Sequence, residues 1–375
     1  MAVKQIIVIF ICILLFFSNV SAQLPLLENR EAVTAIDSTL DLIYNFEFDK
    51  AQKRIDIIQQ RLKNHPAIYL LRSMLIYWKK RPLVPETETY LLYENYLYQA
   101  IEISKSLIKI DDLHEEATFY MMAGYALLAE LYSEEGAGLK VLSVAKKAYR
   151  YLKDGKDAVE DFPDFYFSTG LYNYYRVKYP ELYPFYKSFM WLFAGGNKNL
   201  GIEQLKLGRL HGVFTRNEST IYLYHIFLRY ENRPDQAFPF IEMLVEKYPG
   251  NIRFISLLTE VLVALGDYSQ AKKYTKVLLQ QETSMYRLSG TLFNAIIAEK
   301  TFNLEEADKL LAQAQTIHDG MNKQYFHYLS MIYATCARVA DKQNNSDDAK
   351  DWYKKALKAE PYIPVKEEAL EFLNK

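Results

Sequence analysis

Residues 237–249, AFPFIEMLVEKYP, and residues 271–283, AKKYTKVLLQQET, repeat one pattern 34 positions apart. Each copy opens with Ala, places a bulky or β-branched residue four positions later and places Leu three positions after that. This spacing puts the three side chains on one stripe of an α-helix. Pro249 ends the first copy, because the residue before a proline avoids the helical region. Apolar residues at helical spacing also precede each copy, so the pattern predicts stacked pairs of helices.

A close variant, with Ala in place of the Leu, returns near the C-terminus as residues 349–361, AKDWYKKALKAEP, and in a weaker form without the proline from Ala307. The opening alanines, at 237, 271, 307 and 349, are therefore 34, 36 and 42 residues apart. This periodicity resembles that of the tetratricopeptide superfamily. The resemblance implies two-helix repeats, each of which buries its apolar stripe only against its neighbours. The predicted fold class is all-α: an α-solenoid of tetratricopeptide-like helical hairpins, irregular in the N-terminal half.

The pattern divides the chain into four predicted regions. They are a signal peptide (1–22), an N-terminal helical repeat region (23–85), degenerate repeats with an aromatic-rich insertion (86–217) and a regular repeat array (218–375). Within the third region, Pro180 and Pro184 are expected to break the aromatic stretch into short helices.

The N-terminus has the features of a signal peptide. Lys4 is followed by the uncharged run Ile6 to Phe17, which is shorter than a bilayer span, and then by small residues that predict cleavage before Gln23. We therefore expect an exported protein, periplasmic, associated with the cell envelope or secreted, in a bacterium. An uncleaved N-terminal anchor is the alternative. After cleavage no membrane-spanning segment is expected.

Composition argues against several classes of function. The net charge of −1 gives no basic field for nucleic acid. Six scattered histidines and two cysteines, one of them inside the signal run, form no recognisable zinc-binding pattern. Neither a phosphate-binding loop nor a nucleophile elbow is present. We therefore predict no catalytic residues, no cofactor and no metal, and the protein is not expected to be an enzyme.

The predicted partner site is the concave groove of the solenoid. In tetratricopeptide stacks, set positions of the first helix of each repeat face this groove, and the marker alanines locate those positions here. Counting from them gives Tyr222, Ile226, Arg229, Arg253, Ser256, Glu260, Leu292, Ile296 and Glu299. This mixed surface suits an extended peptide or a partner helix. The first functional hypothesis is therefore a scaffold that holds a protein or peptide partner.

Residues 162–193 form the second candidate surface, since 14 of these 32 residues are Phe, Tyr or Trp. If the rings are exposed, they could stack on a sugar or another flat ligand. The residues named for this carbohydrate or small-ligand alternative are Tyr172, Tyr175, Tyr179, Tyr186 and Trp191. The competing interpretation is that the rings fill the interior of an enlarged helical hairpin.

The segment from 164 to 249 carries a more specific pattern. Gly170 and an aromatic stretch are followed by Gly195-Gly196, Gly201, His211-Gly212 and a Tyr-rich helix ending in Tyr230-Glu231. This order is similar to that of the family that includes the mitochondrial inclusion-clearance protein, its animal relatives and bacterial members. The resemblance implies a helical scaffold and supplies no catalytic residues.

Overall fold

The computed structural model describes residues 25–182, 187, 194–321, 325–359 and 361–375. Across these residues every regular element is helical and no strand occurs, which confirms the predicted all-α solenoid. The predicted signal peptide, residues 1–22, lies outside the described residues.

Within the described residues 25–182, seven α-helices follow a short 3₁₀ turn at Leu26–Glu28. They are α1 (Arg30–Tyr44), α2 (Phe48–Arg61), α3 (Pro66–Lys80), α4 (Glu88–Leu107), α5 (His114–Glu135), α6 (Gly138–Gly155) and α7 (Phe165–Leu182).

Ten further α-helices lie in the described residues from 194 onward. They are α8 (Lys198–His211), α9 (Arg216–His225), α10 (Pro234–Lys247), α11 (Ile252–Leu265), α12 (Tyr268–Leu279), α13 (Ser284–Lys300), α14 (Leu304–Asp319), α15 (Phe326–Lys342), α16 (Ser346–Lys358) and α17 (Ile363–Leu373). Helix α9 continues directly into a π-helical turn, Ile226–Tyr230.

Consecutive helices pack against one another along the chain, as expected for a solenoid. The marker alanines lie on the second helix of successive pairs, and their side chains are fully buried: Ala237, Ala271, Ala307 and Ala349. Gly266 separates α11 from α12 in a left-handed conformation, with φ of 80°. Glycine adopts this conformation at little cost, so it suits the tight turn within the repeat.

Helix α7 differs from the prediction of short pieces. It runs unbroken from Phe165 to Leu182, with Pro180 in its last turn. Pro180 removes one backbone hydrogen bond to the preceding turn, and α7 ends two residues later. Pro184 lies outside the described residues.

The N-terminal helix α1 contacts residues far along the chain. Tyr44 Oη donates to Glu218 Oε1 at 2.8 Å, and Asn251 Nδ2 donates to the carbonyl of Tyr44 at 2.7 Å. Tyr248 Oη donates to Asp41 Oδ1 at 2.6 Å. These contacts hold the N-terminal helices against α9, α10 and α11, so the described chain folds back on itself more than an open rod would.

One buried apolar cluster extends from Leu26 to Ile297 and crosses both proposed region boundaries, near 85 and near 217. The division into regions stays a prediction. Among the helices of the described residues, none combines the length and the apolar character that a membrane crossing requires.

Candidate binding cavity

A cavity of about 680 Å³ lies where distant parts of the chain meet. Its walls come from the end of α3, the π-helical turn after α9, the first turns of α11, α13 and α15, and the segment leading into α17. We call it the inner cavity. Its volume falls within the range of cavities that enclose small organic ligands.

Aromatic side chains form much of the wall of the inner cavity. They are Phe46, Tyr77, Trp78, Tyr230, Tyr286, Tyr325, Phe326, Tyr328 and Tyr362. Burial raises the pKa of Tyr286 and that of Tyr328 to about 12, so both hydroxyls stay protonated at neutral pH. Such a wall offers flat apolar faces together with hydroxyl groups that can hydrogen-bond.

Two of the three arginines in the wall are paired with carboxylates of the protein. Arg229 donates from Nη2 to Glu260 Oε2 at 2.6 Å, and Glu260 is itself buried. Arg81 donates to Glu130 Oε1 at 3.0 Å and also pairs with Glu134. Their charges are therefore largely compensated.

The third arginine of the wall, Arg253, forms no ion pair with a described carboxylate. Its guanidinium lies over the ring of Trp78, 5.0 Å from the ring centroid, and no carboxylate of the described residues lies within ion-pair distance. A cation above an indole face is an attractive contact, but it leaves the N–H donors at the edge of the guanidinium available. Lys366, on α17, is a further half-buried cation of this wall without an ion pair in the described part of the chain.

Two histidines complete the polar part of the wall. Burial, reinforced by the charge of Arg229, lowers the pKa of His225 and that of His327 well below the usual value. Both rings are therefore neutral at pH 7. His225 Nδ1 is buried and has no hydrogen-bond partner in the described structure.

Some of the predicted groove residues line the inner cavity, and the others do not. Arg229, Arg253 and Ser256 line the inner cavity. Ser256 is only 2 % exposed and donates to Ser289 Oγ at 3.0 Å. Tyr222 lies outside the cavity lining and packs edge-on against Phe167, with ring centroids 5.4 Å apart.

The other groove residues are interior and do not form an open surface: Ile226, Glu260, Leu292, Ile296 and Glu299. Glu299 is fully buried and accepts from Arg338 Nε at 3.0 Å and from Lys342 Nζ at 2.7 Å. The physical reason is that neighbouring helices and long basic side chains cover these positions. The groove assignment as a whole stays a prediction.

The aromatic-rich segment is partly interior as well. Tyr172 Oη donates to the carbonyl of Ala194 at 2.6 Å. Tyr175 stacks on Tyr179 at 4.8 Å and meets Tyr230 edge-on at 5.4 Å. Tyr179 is the more exposed of these rings, at 41 %. Tyr186 and Trp191 lie outside the described residues.

Counting along the repeats missed most of the cavity wall. Trp78 and Arg81 belong to the irregular N-terminal part, and Tyr362 and Lys366 follow the last repeat. No local spacing connects these residues, because they meet only through the long-range packing of α1 on the C-terminal part. Among the described residues, no group of three or more His, Cys, Asp or Glu side chains is arranged to hold a metal ion.

Neither a protein-family model nor a curated protein matches the chain. The tetratricopeptide assignment therefore depends on the repeat pattern alone.

Proposed function

We propose that this protein is a tetratricopeptide-like solenoid that binds a small organic ligand in its inner cavity. The observation that supports this most directly is the cavity of about 680 Å³, whose wall combines aromatic side chains with a set of polar and cationic groups. This combination is typical of ligand sites rather than of packed interiors. The proposal keeps the small-ligand alternative from the sequence, but of the described residues of 162–193 only Leu182 lines the proposed site.

A scaffold that captures a partner protein in the groove is the second proposal. Arg229, Arg253 and Ser256 support it, because they are groove positions that reach the cavity. The burial of Ile226, Leu292, Ile296 and Glu299 reduces the groove surface that a partner protein could contact.

We also propose export of the protein, with removal of residues 1–22. Sequencing of the mature protein should then give Gln23 as its first residue.

Ligand retention tests the first proposal. The full chain is purified from its own cells under mild conditions, and retained small molecules are measured by native mass spectrometry. Met285→Trp places a large ring in the wall of the cavity and should abolish retention. Lys273→Trp is the matched control, since Lys273 is exposed on α12.

Equal retention by the wild type and Met285→Trp would contradict the proposal. So would the absence of any retained molecule together with no thermal shift across a metabolite library. Retention of a polypeptide, lost in Met285→Trp and kept in Lys273→Trp, would favour the scaffold instead.

A further inference from the structure

The charges around the inner cavity are unbalanced. Three arginines and one lysine lie in its wall, and no Asp or Glu is found among the described lining residues. Carboxylates behind the wall compensate Arg81 and Arg229. Arg253 and Lys366 form no ion pair in the described part of the protein. Burial raises the pKa of Glu218 and the charge of Arg253 partly offsets this rise, so Glu218 compensates Arg253 only from beyond ion-pair distance.

The environment of Arg253 amplifies this imbalance. The side chain is half-buried, with Trp78 beneath it, so fewer water molecules screen its charge than at an open surface. Its charge acts on the groups around the cavity: burial and the charge of Arg229 lower the pKa of His225 most, and the charge of Arg253 lowers it further. A buried cation is usually paired, and a cation beside a cavity can be paired by a ligand.

The remaining polar groups of the wall do not supply a negative charge. His225 and His327 are neutral at pH 7, as are the hydroxyls of Tyr286 and Tyr328. His225 Nδ1 also lacks the hydrogen-bond partner that buried polar atoms almost always have.

The volume of the inner cavity favours an organic anion over a simple inorganic ion. A water molecule occupies roughly 30 Å³ in the liquid, so a cavity of about 680 Å³ would leave a simple ion surrounded by water and without contact to most of the aromatic wall. A ligand that uses both the charge and the walls must carry a flat or apolar body.

We infer that the ligand of the inner cavity is an organic anion, a carboxylate or a phosphate monoester on a ring-containing body, whose charged group lies against Arg253. Lys366 supplies a second positive charge, and the body packs against the aromatic walls. The inference rests on the proposed ligand-binding function and specifies the chemistry of the ligand. Planar guanidinium groups bind carboxylates and phosphates through paired hydrogen bonds, which makes Arg253 the specificity-determining residue.

Matched probes test the charge requirement. Binding of 2-naphthylacetate is compared with binding of 2-naphthylacetamide, and 2-naphthyl phosphate is compared with 2-naphthol, by isothermal titration calorimetry on the full chain. Each anion should bind at least about tenfold more tightly than its neutral partner if its class is the one recognised. Protein labelled with 5-fluorotryptophan should show a shifted ¹⁹F signal for Trp78, assigned with Trp78→Phe.

Two variants locate the effect. Arg253→Gln should remove the preference for the anion, and Lys366→Gln should reduce it. Arg287→Gln should leave it unchanged, because Arg287 is exposed on α13. A preference confined to the carboxylate pair or to the phosphate pair supports the inference and identifies the charged group.

Neutral probes that bind as tightly as the anions would overturn the inference and leave the proposed function standing. An anion preference that survives in Arg253→Gln would also overturn it. If no probe binds, the inference fails; ligand retention that is lost in Met285→Trp would then still support a cavity ligand of other chemistry.

Discussion

Arg229 and Tyr362 connect the middle of the chain to its C-terminal helix. Arg229 Nη1 donates to Tyr362 Oη at 2.8 Å, and the guanidinium also lies over the tyrosine ring, 4.5 Å from its centroid. The same guanidinium is held by Glu260. Tyr362 immediately precedes α17, so this contact fixes that helix as a wall of the inner cavity.

Tyr362→Phe should loosen α17 without unfolding the protein. The change removes the hydroxyl and keeps the ring, so we expect a loss of about 1 kcal/mol in the free energy of unfolding. Hydrogen exchange should speed up in residues 363–373 and little elsewhere. Tyr274→Phe, on α12, serves as the control. Unchanged amide protection in α17 would show that the hydroxyl contact does not hold this helix.

Acidification should destabilise the protein through His225 and His327. Burial lowers the pKa of both imidazoles well below the usual value, whereas in the unfolded chain both take up protons near pH 6.5. The unfolded state therefore binds more protons below this pH, and the stability present at pH 7 and above is lost as the pH falls. The loss should grow steadily as the pH is lowered from 7 to 5, because the unfolded chain takes up both protons over this interval.

The histidine effect is measured by urea unfolding at pH 7 and pH 5. The double variant His225→Gln, His327→Gln should lose less stability over this interval than the wild type. His211→Gln is the control, because His211 is exposed on α8. Identical pH profiles for the wild type and the double variant would rule out this explanation.

The buried carboxylate of Glu299 should contribute to the free energy of unfolding. Burial opposes its ionisation, but the charge of Arg338 and the hydrogen bond from Lys342 outweigh burial and lower the pKa of Glu299. Glu299→Gln leaves both cations with a weaker partner and should cost about 3 kcal/mol. Arg338 keeps its contact with Glu368, at 2.9 Å, which limits the loss.

The pH dependence distinguishes this charge from simple packing. Since the pKa of Glu299 is lowered in the folded state, its stabilising contribution is present above the unfolded pKa and is lost as the pH falls through the folded pKa. The difference in stability between the wild type and Glu299→Gln should therefore shrink in acid. Glu305→Gln, at an exposed position of α14, should show no comparable effect. A difference that is constant with pH would argue for packing.

Gly201 should tolerate no side chain. A Cβ atom there would lie 2.6 Å from the backbone nitrogen of Tyr174 and 2.7 Å from the carbonyl oxygen of Gly170. Both are backbone atoms, so α7 and α8 must separate, and Gly201→Ala should cost about 1–3 kcal/mol. Gly138→Ala is the matched control, because no atom lies within 4 Å of its Cβ position. Equal melting temperatures for the two variants would show that α7 and α8 can move apart freely.

The sequence predicted the helical architecture because its cause is local. In each repeat a small residue such as Ala271 lies where a neighbouring helix packs closely. Because this contact recurs once per repeat, the small residue recurs at a regular spacing in the sequence. At Gly201, in the degenerate part, the structure also brings two backbones together and leaves room only for glycine. The length of α7 was predicted less well, because Pro180 is compatible with a helix that is about to end.

The candidate site could be predicted only in part. Arg253 was found because it lies on a repeat face, whereas its neighbour Trp78 comes from α3, 175 positions earlier in the sequence. Repeat counting assigns a face to each helix but does not determine the curvature of the stack. For the same reason it placed Leu292 and Glu299 on an open groove, although packing covers both.

The inner cavity draws its wall from both Trp78 and Lys366. A chain that ends early, or whose last helix has not yet docked, therefore lacks part of the wall, however well its individual repeats are folded. A ligand of the kind proposed would therefore contact α3 and α17 together, and its binding would require that the last helix has docked.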